Sequence, residues 1–312
     1  MDPTALPPPR ARGAAVSPAM APLTARLEWG LLPAAPVPFR GEVLDERAQR
    51  GYAAWMARHP VAGVAVWAHT GRGPHLSPEQ RALVLDSWRE AMPDRVVVAG
   101  ARDLTMAIEA RRGRADALLA FPTRDKPVEF HARLSRELPV LAFWLYEAAG
   151  GVAYDDATLH AILDLPGVVG MKVATLDSVM TFQRLAGVFR SHSDKLLITG
   201  EDRFFGYSLM AGARGALIGM GSALPDLQAG LLRAYADGDW AAFQARSERC
   251  DRLALATFIP PMEGYVRRML WAAAADGALP RDACDDPWGP PLPPEECAEV
   301  ERVVRDARAA GD

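Results

Sequence analysis

Eight short, continuously apolar runs alternate with amphipathic stretches along this sequence. The runs, rich in Val, Leu, Ile and Ala, are LLPAAPV (31–37), VAGVAVWA (61–68), VVVAG (96–100), DALLAF (116–121), VLAFWL (140–145), VVGMKVA (168–174), KLLIT (195–199) and GALIGM (215–220). Continuous apolarity is typical of strands buried on both faces of a parallel sheet. Eight such strands separated by helices predict a closed (β/α)8 barrel of the α/β class. An open, doubly wound sheet is the alternative, but no GxGxxG follows the first run.

Capping residues mark several of the predicted helices. Ser77 and Gln80 form a Ser-x-x-Gln capping box around a proline at the first helical position. Asp45, Asp155 and Asp177 are predicted N-caps of the helices that follow them. Apolar residues at three- and four-residue spacing predict further helices over 104–114 and 179–189.

The chain after residue 225 has a helical pattern to its end. Helices are predicted at about 225–237, 239–258, 263–276 and 294–310, with a proline-rich loop at 285–296. Only the first of these is needed to complete a barrel. We therefore expect a disordered, Pro/Ala-rich leader over residues 1–25, a barrel over 26–237, and a helical extension over 238–312 that packs on the barrel.

Composition excludes several classes of function. The 312 residues are 50% hydrophobic and carry a formal net charge of -4, without a basic stripe for nucleic acid. No apolar run reaches the roughly 18 residues that a membrane span requires. The three cysteines form no CxxC or Cys/His cluster, which predicts a reducing, cytoplasmic location. No metal motif, P-loop or GxSxG elbow is present.

A lysine, Lys172, lies near the end of the sixth apolar run, where a barrel strand would deliver it to the active-site end. Burial disfavours the ammonium form of lysine and lowers its pKa, and the neutral amine attacks carbonyl groups to form imines. Lys172 is therefore a candidate imine-forming nucleophile. The alternative is a strand-end lysine that reaches solvent or pairs with a carboxylate.

A turn with anion-binding potential follows the second run. In His69-Thr70-Gly71, a hydroxyl residue followed by glycine lets backbone N–H groups approach a carboxylate. Thr-Gly turns are also common as simple loops, so this signal is weak when it stands alone.

Five segments together resemble the dihydrodipicolinate synthase/N-acetylneuraminate lyase family of class I aldolases and dehydratases. They are LPAAPVPF (32–39), AHTGR (68–72), GVVGMKVATLD (167–177), TGED (199–202) and GARGA (212–216), in order and at compatible spacing over roughly residues 28–280. The resemblance implies a (β/α)8 barrel in which Lys172 forms the imine.

The chain departs from the family pattern where that family handles protons. Of the usual two small hydroxyl residues in the turn, the first is His69 here, and the following glutamate is replaced by Arg72. The tyrosine expected on strand five falls on Phe143, and Tyr146 comes three residues later. The tyrosine expected after strand four falls on Arg124. The chain is therefore expected to be a divergent member and not a true dihydrodipicolinate synthase.

Other residues must then move protons and bind substrate. His69 is the predicted substitute acid/base, because its reference pKa suits proton transfer at neutral pH; a structural histidine in the turn is the alternative. Tyr146 or Glu147 would contribute from the loop after strand five. Arg124 and Arg72 would bind a second anionic group, unless they are solvated loop charges. The apolar side chain at the strand-five position is expected to line the substrate pocket.

The resemblance implies a Schiff-base lyase, of the carbon–carbon or carbon–oxygen type, acting on an α-keto acid such as pyruvate or a 2-keto-3-deoxy sugar acid. Lys172 would attack the ketone, and Thr70 with the Gly71 backbone would hold the carboxylate, with no metal or organic cofactor. The alternative is a barrel that binds a keto acid or sugar acid without turnover; a metal-dependent aldolase lacks an evident ligand set. Members of such a family usually form homodimers or homotetramers.

Overall fold

The computed structural model describes residues 21–310, which form a parallel sheet of eight strands surrounded by helices and a separate antiparallel hairpin of Phe39–Arg40 with Val43–Leu44. The strands of the large sheet are numbered in chain order. The strands are β1 (Leu31–Pro33), β2 (Gly63–Val66), β3 (Val96–Ala101), β4 (Ala117–Ala120), β5 (Val140–Leu145), β6 (Val168–Ala174), β7 (Leu196–Thr199) and β8 (Ala216–Ile218). Neighbours follow chain order from β2 to β8, and β8 pairs in parallel with β1. A parallel bridge between Ala34 and Ala65 joins β1 to β2 and closes the sheet. The predicted barrel is confirmed, and the open sheet is excluded.

The barrel strands are buried on both faces. On β3, for example, Val96 and Val98 belong to an apolar cluster inside the barrel, whereas Val97 and Ala99 belong to the cluster between the sheet and the helices. This two-sided burial explains why the strands appear in the sequence as continuous apolar runs.

Helices connect the strands and continue beyond the last one. They are α1 (Ala21–Leu27), α2 (Glu46–Met56), α3 (Pro78–Ala91), α4 (Leu104–Arg112), α5 (Pro127–Leu134), α6 (Asp156–Leu163), α7 (Val179–Val188), α8 (Phe205–Met210), α9 (Pro225–Asp237), α10 (Trp240–Thr257), α11 (Tyr265–Ala275) and α12 (Pro294–Ala309). None of the helices within residues 21–310 has the length and apolarity needed to cross a bilayer.

Three of the predicted caps are confirmed and one is wrong. Asp45 and Asp155 accept the expected backbone N–H bonds, and Ser77 forms the full capping box. The N-cap of α7 is Ser178, whose side chain accepts from the Thr181 N–H, and not Asp177. The helix starts at Val179, as predicted, but its cap lies one residue later because the chain first turns through Leu176, whose φ is 68°.

The predicted leader, residues 1–25, lies mainly outside the described residues. Its last five residues are helical, since α1 begins at Ala21, so the predicted disorder does not extend to residue 25. Leu23 and Leu27 of α1 join the apolar cluster inside the barrel.

The C-terminal extension is tied to the barrel and to itself by buried ion pairs. Arg268 of α11, whose side chain is fully buried, donates to Glu296 of α12 at 2.7 Å. Between α10 and α11, the segment 258–264 crosses from one helix to the next. This segment, which we call the crossing segment, and the start of α11 reach the barrel mouth described below.

Candidate active site

A cleft that encloses about 490 Å³ of space, part of it open to solvent, lies at the carboxyl ends of the strands, where the loops after β2 and β5–β8 meet the crossing segment. Its lining from the barrel is His69, Thr70, Phe143, Leu145, Tyr146, Lys172, Ala174, Leu176, Gly200, Glu201, Asp202, Arg203 and Gly219. Phe258, Met262 and Tyr265 complete it from the C-terminal extension. The position is the one where (β/α)8 barrels carry their active sites.

A bulge in β6 turns Lys172 toward the inside of the barrel. Val168 pairs with Val140 of β5 but Gly170 pairs with the next residue, Leu141, so Val169 is an extra residue. Val169 and, after the bulge, Ala174 both belong to the interior cluster, whereas simple alternation would place them on opposite faces. Lys172 shares the interior face with Ala174 as a result.

The Lys172 side chain is only 5% exposed. Its Nζ lies 4.4 Å from the centroid of the Phe143 ring, on the neighbouring strand. A Cβ at Gly200 would lie 2.5 Å from the lysine Cε, so glycine at this position leaves space for the lysine chain. Burial lowers the pKa of Lys172 to about 8, and this effect outweighs the charges of Asp202 and Glu201, which act to raise it. The amine is therefore substantially neutral, and nucleophilic, at mildly alkaline pH.

Two carboxylic acids from the loop after β7 lie near this lysine. Glu201 is 1% exposed and accepts the N–H groups of Thr175 at 2.5 Å and Leu176 at 3.1 Å. Asp202 accepts the Met220 N–H at 2.7 Å. Burial raises the pKa of both acids, that of Glu201 to about 8. The TGED segment carried these residues in the sequence resemblance, but sequence reasoning gave them no role.

The turn after β2 brings Thr70 into the cavity. Thr70 Oγ1 lies 3.0 Å from the Tyr265 hydroxyl, and either group can donate. The backbone N–H groups of Thr70 and Gly71 have no protein partner among the described residues. A Cβ at Gly71 would approach the Ala35 carbonyl oxygen to 2.9 Å, so the turn is tight against β1. Thr70 and its turn can therefore present three donors to an anion.

Glu263, on the crossing segment, joins two of the predicted catalytic residues. Its carboxylate lies 3.1 and 3.2 Å from His69 Nε2 and accepts the Tyr146 hydroxyl at 3.3 Å. Burial is the main cause that lowers the pKa of His69 to about 4, with Arg72 and Lys172 adding to the effect. The imidazole is therefore neutral at physiological pH. Burial and Glu263 raise the pKa of Tyr146, which stays protonated.

Three residues predicted to contact substrate are not placed to do so. Arg72 is 6% exposed, and its guanidinium is held by Asp286 and Glu263, so its charge is already compensated within the protein. Arg124 and Glu147 are exposed and do not line the cavity. Among the described residues, the arginine that lines the cavity is Arg203, which also donates to the Phe258 carbonyl oxygen at 2.7 Å. Phe143, as predicted, lines it.

Sequence reasoning missed Glu263 and Tyr265 altogether. Each lies more than 190 residues from its partner in the turn after β2. The only local signal was a Pro-Pro-Met-Glu-Gly stretch at 260–264 that breaks the helical pattern. Such a stretch predicts a loop but does not indicate which end of the barrel the loop covers.

Sequence and structure comparisons find relatives across most of the chain. A 4-hydroxy-tetrahydrodipicolinate synthase of Ruegeria pomeroyi is 29% identical over 247 residues, covering 74% of this chain and 84% of the relative. One from a Synechococcus strain is 30% identical over 212 residues, covering 61% of this chain and 68% of the relative. The solved structure of N-acetylneuraminate lyase from Mycoplasma synoviae superposes with a TM-score of 0.74 at 19% identity, covering 91% of this chain and 99% of that one. No protein-family model matches the sequence.

Proposed function

The chain belongs to the dihydrodipicolinate synthase/N-acetylneuraminate lyase family, and we propose on that premise that it is a class I lyase that forms a Schiff base between Lys172 and an α-keto acid. Substrates of this class include pyruvate and 2-keto-3-deoxy sugar acids. The observation that carries the proposal is the Lys172 amine, which a strand bulge directs into a cavity at the active-site end of the barrel.

The surroundings of Lys172 suit each stage of imine chemistry. Apolar contact with Phe143 keeps the amine desolvated and so favours its neutral, nucleophilic form. Attack on the ketone gives a carbinolamine, which takes up a proton and loses water to become an iminium ion; the iminium draws electrons from the neighbouring carbon and allows an enamine to form. Asp202 and Glu201 are the acidic groups whose charge interacts with Lys172, and in their ionised forms they would stabilise the cationic iminium.

Carboxylate binding is assigned to Thr70 and to the N–H groups of the turn that includes Gly71. Thr70 lines the Lys172 cavity and Gly71 follows it directly, and a keto acid's carboxylate is adjacent to the carbon that the lysine attacks. We keep His69 and Tyr146, joined by Glu263, as acid/base candidates for the second reactant, because the Glu263 side chain between them is 38% exposed and so can be reached from solvent. Arg203, in place of Arg72 and Arg124, is the cation available for a second anionic group.

Borohydride trapping tests the proposal directly. The chain has three lysines, Lys126, Lys172 and Lys195, so peptide mapping assigns an adduct without ambiguity. Pyruvate followed by borohydride should label Lys172, and Lys172→Arg should abolish the label. The matched controls Lys126→Arg and Lys195→Arg should retain it. Absence of an adduct with pyruvate and with 2-keto-3-deoxy sugar acids would contradict the function, and an adduct without aldol or dehydration turnover would favour the binding protein.

Assembly and location are separate proposals. We propose a homodimer or homotetramer, supported by exposed apolar side chains such as Met180, Met210 and Trp240. Size-exclusion chromatography with light scattering measures this. A cytoplasmic location is supported by three cysteines that are all unpaired thiols.

A further inference from the structure

We propose that Tyr265, which the C-terminal extension brings into the barrel mouth, is the acid/base residue that moves protons during imine and enamine formation at Lys172. The inference rests on the proposed function, since it assigns a residue to the chemistry of that same site. It places the proton transfer on a residue outside the barrel strands.

Strand β5, on one side of Lys172, places no proton donor beside the amine. Phe143 pairs in register with Lys172 on the neighbouring strand, and its ring lies 4.4 Å from the amine. This ring excludes water from the amine but has no ionisable hydrogen. An acid for the imine step must therefore come from another element that lines the cavity.

Tyr265 lines the same cavity as Lys172 and is packed on several sides. Its ring stacks on Phe258 at 4.9 Å between centroids and on His69 at 6.1 Å. A Cβ at Gly219 would lie 3.3 Å from both Thr70 Oγ1 and Tyr265 Cε2, so the glycine leaves room for the two side chains to meet. The tyrosine hydroxyl is thereby fixed 3.0 Å from Thr70 Oγ1, in the turn assigned to the substrate carboxylate.

The hydrogen bonding distinguishes Tyr265 from Tyr146. The Tyr146 hydroxyl donates to the Glu263 carboxylate, which holds its proton. The Tyr265 hydroxyl is paired only with another hydroxyl among the described residues, and either member of the pair can donate. A hydroxyl pair of this kind can release a proton and recover it without breaking an ion pair.

One tyrosine can both supply and recover the proton that the reaction requires. The neutral Lys172 amine attacks the ketone, and one amine proton moves to the ketone oxygen, giving a carbinolamine. Tyr265 then gives its proton to the carbinolamine hydroxyl, the C–O bond breaks, water leaves, and the nitrogen lone pair forms the C=N bond of the iminium. The phenolate next removes a proton from the carbon beside the imine, which yields the neutral enamine and restores the phenol.

The electrostatics of the site are consistent with this cycle. Burial raises the pKa of the Tyr265 phenol well above its usual value, so the group is protonated when the keto acid arrives. The iminium on Lys172 is a cation in the same water-poor cavity, and its charge stabilises the phenolate at the stage when the base is needed.

Exchange of the pyruvate methyl hydrogens tests the role without knowledge of the second reactant. In D2O, enamine formation at Lys172 exchanges these hydrogens for deuterium, which NMR follows. Tyr265→Phe should slow the maximal exchange rate by about 100-fold or more, the usual contribution of a general acid/base. Borohydride should still trap the Lys172 adduct after long incubation. The matched control is Tyr154→Phe, which removes a buried hydroxyl that bonds the Thr123 backbone away from the cavity, and it should exchange at the normal rate.

The outcomes separate this inference from the proposed function. If the unsubstituted protein neither forms a borohydride-trapped adduct with pyruvate nor exchanges the pyruvate methyl hydrogens, the proposed function is wrong. If Tyr265→Phe still traps pyruvate and exchanges its hydrogens at the normal maximal rate, Tyr265 does not have the proposed role, and the proposed function stands. The same holds if only the pyruvate concentration for half-maximal exchange changes. Thr70→Val provides a second variant should Tyr265→Phe not fold. Where both single variants fold, the double variant should exchange hydrogens no more slowly than the slower single variant if the two hydroxyls act as one unit. Additive losses of exchange rate in the double variant would contradict this pairing.

Discussion

The guanidinium of Arg72 forms a two-point contact with the carboxylate of Asp286. Arg72 Nη2 lies 2.7 Å from Asp286 Oδ2, and Nε lies 3.2 Å from Oδ1. The same guanidinium donates to Glu263 through Nη1 at 2.8 Å. A single buried cation therefore joins the turn after β2, the crossing segment and the loop before α12.

Loss of one partner from this buried ion pair should destabilise the protein. Asp286→Asn leaves the Arg72 charge undercompensated, and we expect the free energy of unfolding to fall by about 3 kcal/mol. Urea denaturation at pH 7 measures it. The control, Glu299→Gln, breaks an exposed ion pair with Arg302 and should leave the urea midpoint unchanged. Equal midpoints for the two variants would contradict the structural role of the pair.

The rate of adduct formation at Lys172 should depend on pH through the pKa of this lysine. Because burial lowers that pKa to about 8, the neutral amine is the minor form below pH 8 and the major form above it. The initial rate of pyruvate adduct formation should therefore rise about tenfold per pH unit from pH 6 to 7.5 and level off above pH 8. Cyanoborohydride trapping followed by mass spectrometry gives the rate. A rise that continues to pH 10 would show an ordinary lysine pKa.

His69 should make the protein less stable at acid pH. Its folded-state pKa of about 4 lies below the unfolded value of 6.5, so the unfolded chain binds more protons between these values. Stability from this group is complete above pH 6.5 and is lost as pH falls toward 4, by about 2 kcal/mol between pH 7 and pH 5. Urea denaturation at both pH values should show this loss, and His69→Gln should reduce it by that amount. An unchanged difference in the variant would contradict the buried, neutral histidine.

A methyl group at Gly200 should obstruct the lysine. Gly200→Ala would place a Cβ 2.5 Å from Lys172 Cε and 3.0 Å from both Ala174 Cβ and the Val173 carbonyl oxygen. We expect adduct formation to slow by at least about tenfold, since displacement of the reacting amine by a fraction of an ångström is costly. Gly187→Ala, in α7, would bring its Cβ no closer than 3.9 Å to Arg190 Nη1, an ordinary contact, and should trap pyruvate at the normal rate. Equal rates for both variants would exclude the steric role.

The barrel was predictable because its signals are local. Each strand appears as a run of apolar residues, and the caps Asp45, Ser77 and Asp155 precede their helices directly. Lys172 was found because a lysine in such a run is unusual. Its inward direction was not predictable, because the bulge at Val169 depends on pairing with another strand.

The polar part of the site was less predictable because its contacts join distant segments. Arg72 has the sequence environment of a loop cation, but its partners are Glu263 and Asp286, far along the chain. Arg124 was placed by alignment with a family position, whereas its side chain is exposed. The spacing of residues 260–265 gives no indication that Tyr265 meets Thr70.

The position of the crossing segment has a consequence for how the protein diverges. The eighth strand ends at Ile218, yet Glu263 and Tyr265 are translated more than 40 residues later. All eight strands of the barrel, with Lys172 among them, thus precede these two side chains in the chain. Over evolutionary time, substitutions in one short stretch near the carboxyl terminus can alter proton transfer while the strands that present the lysine stay unchanged.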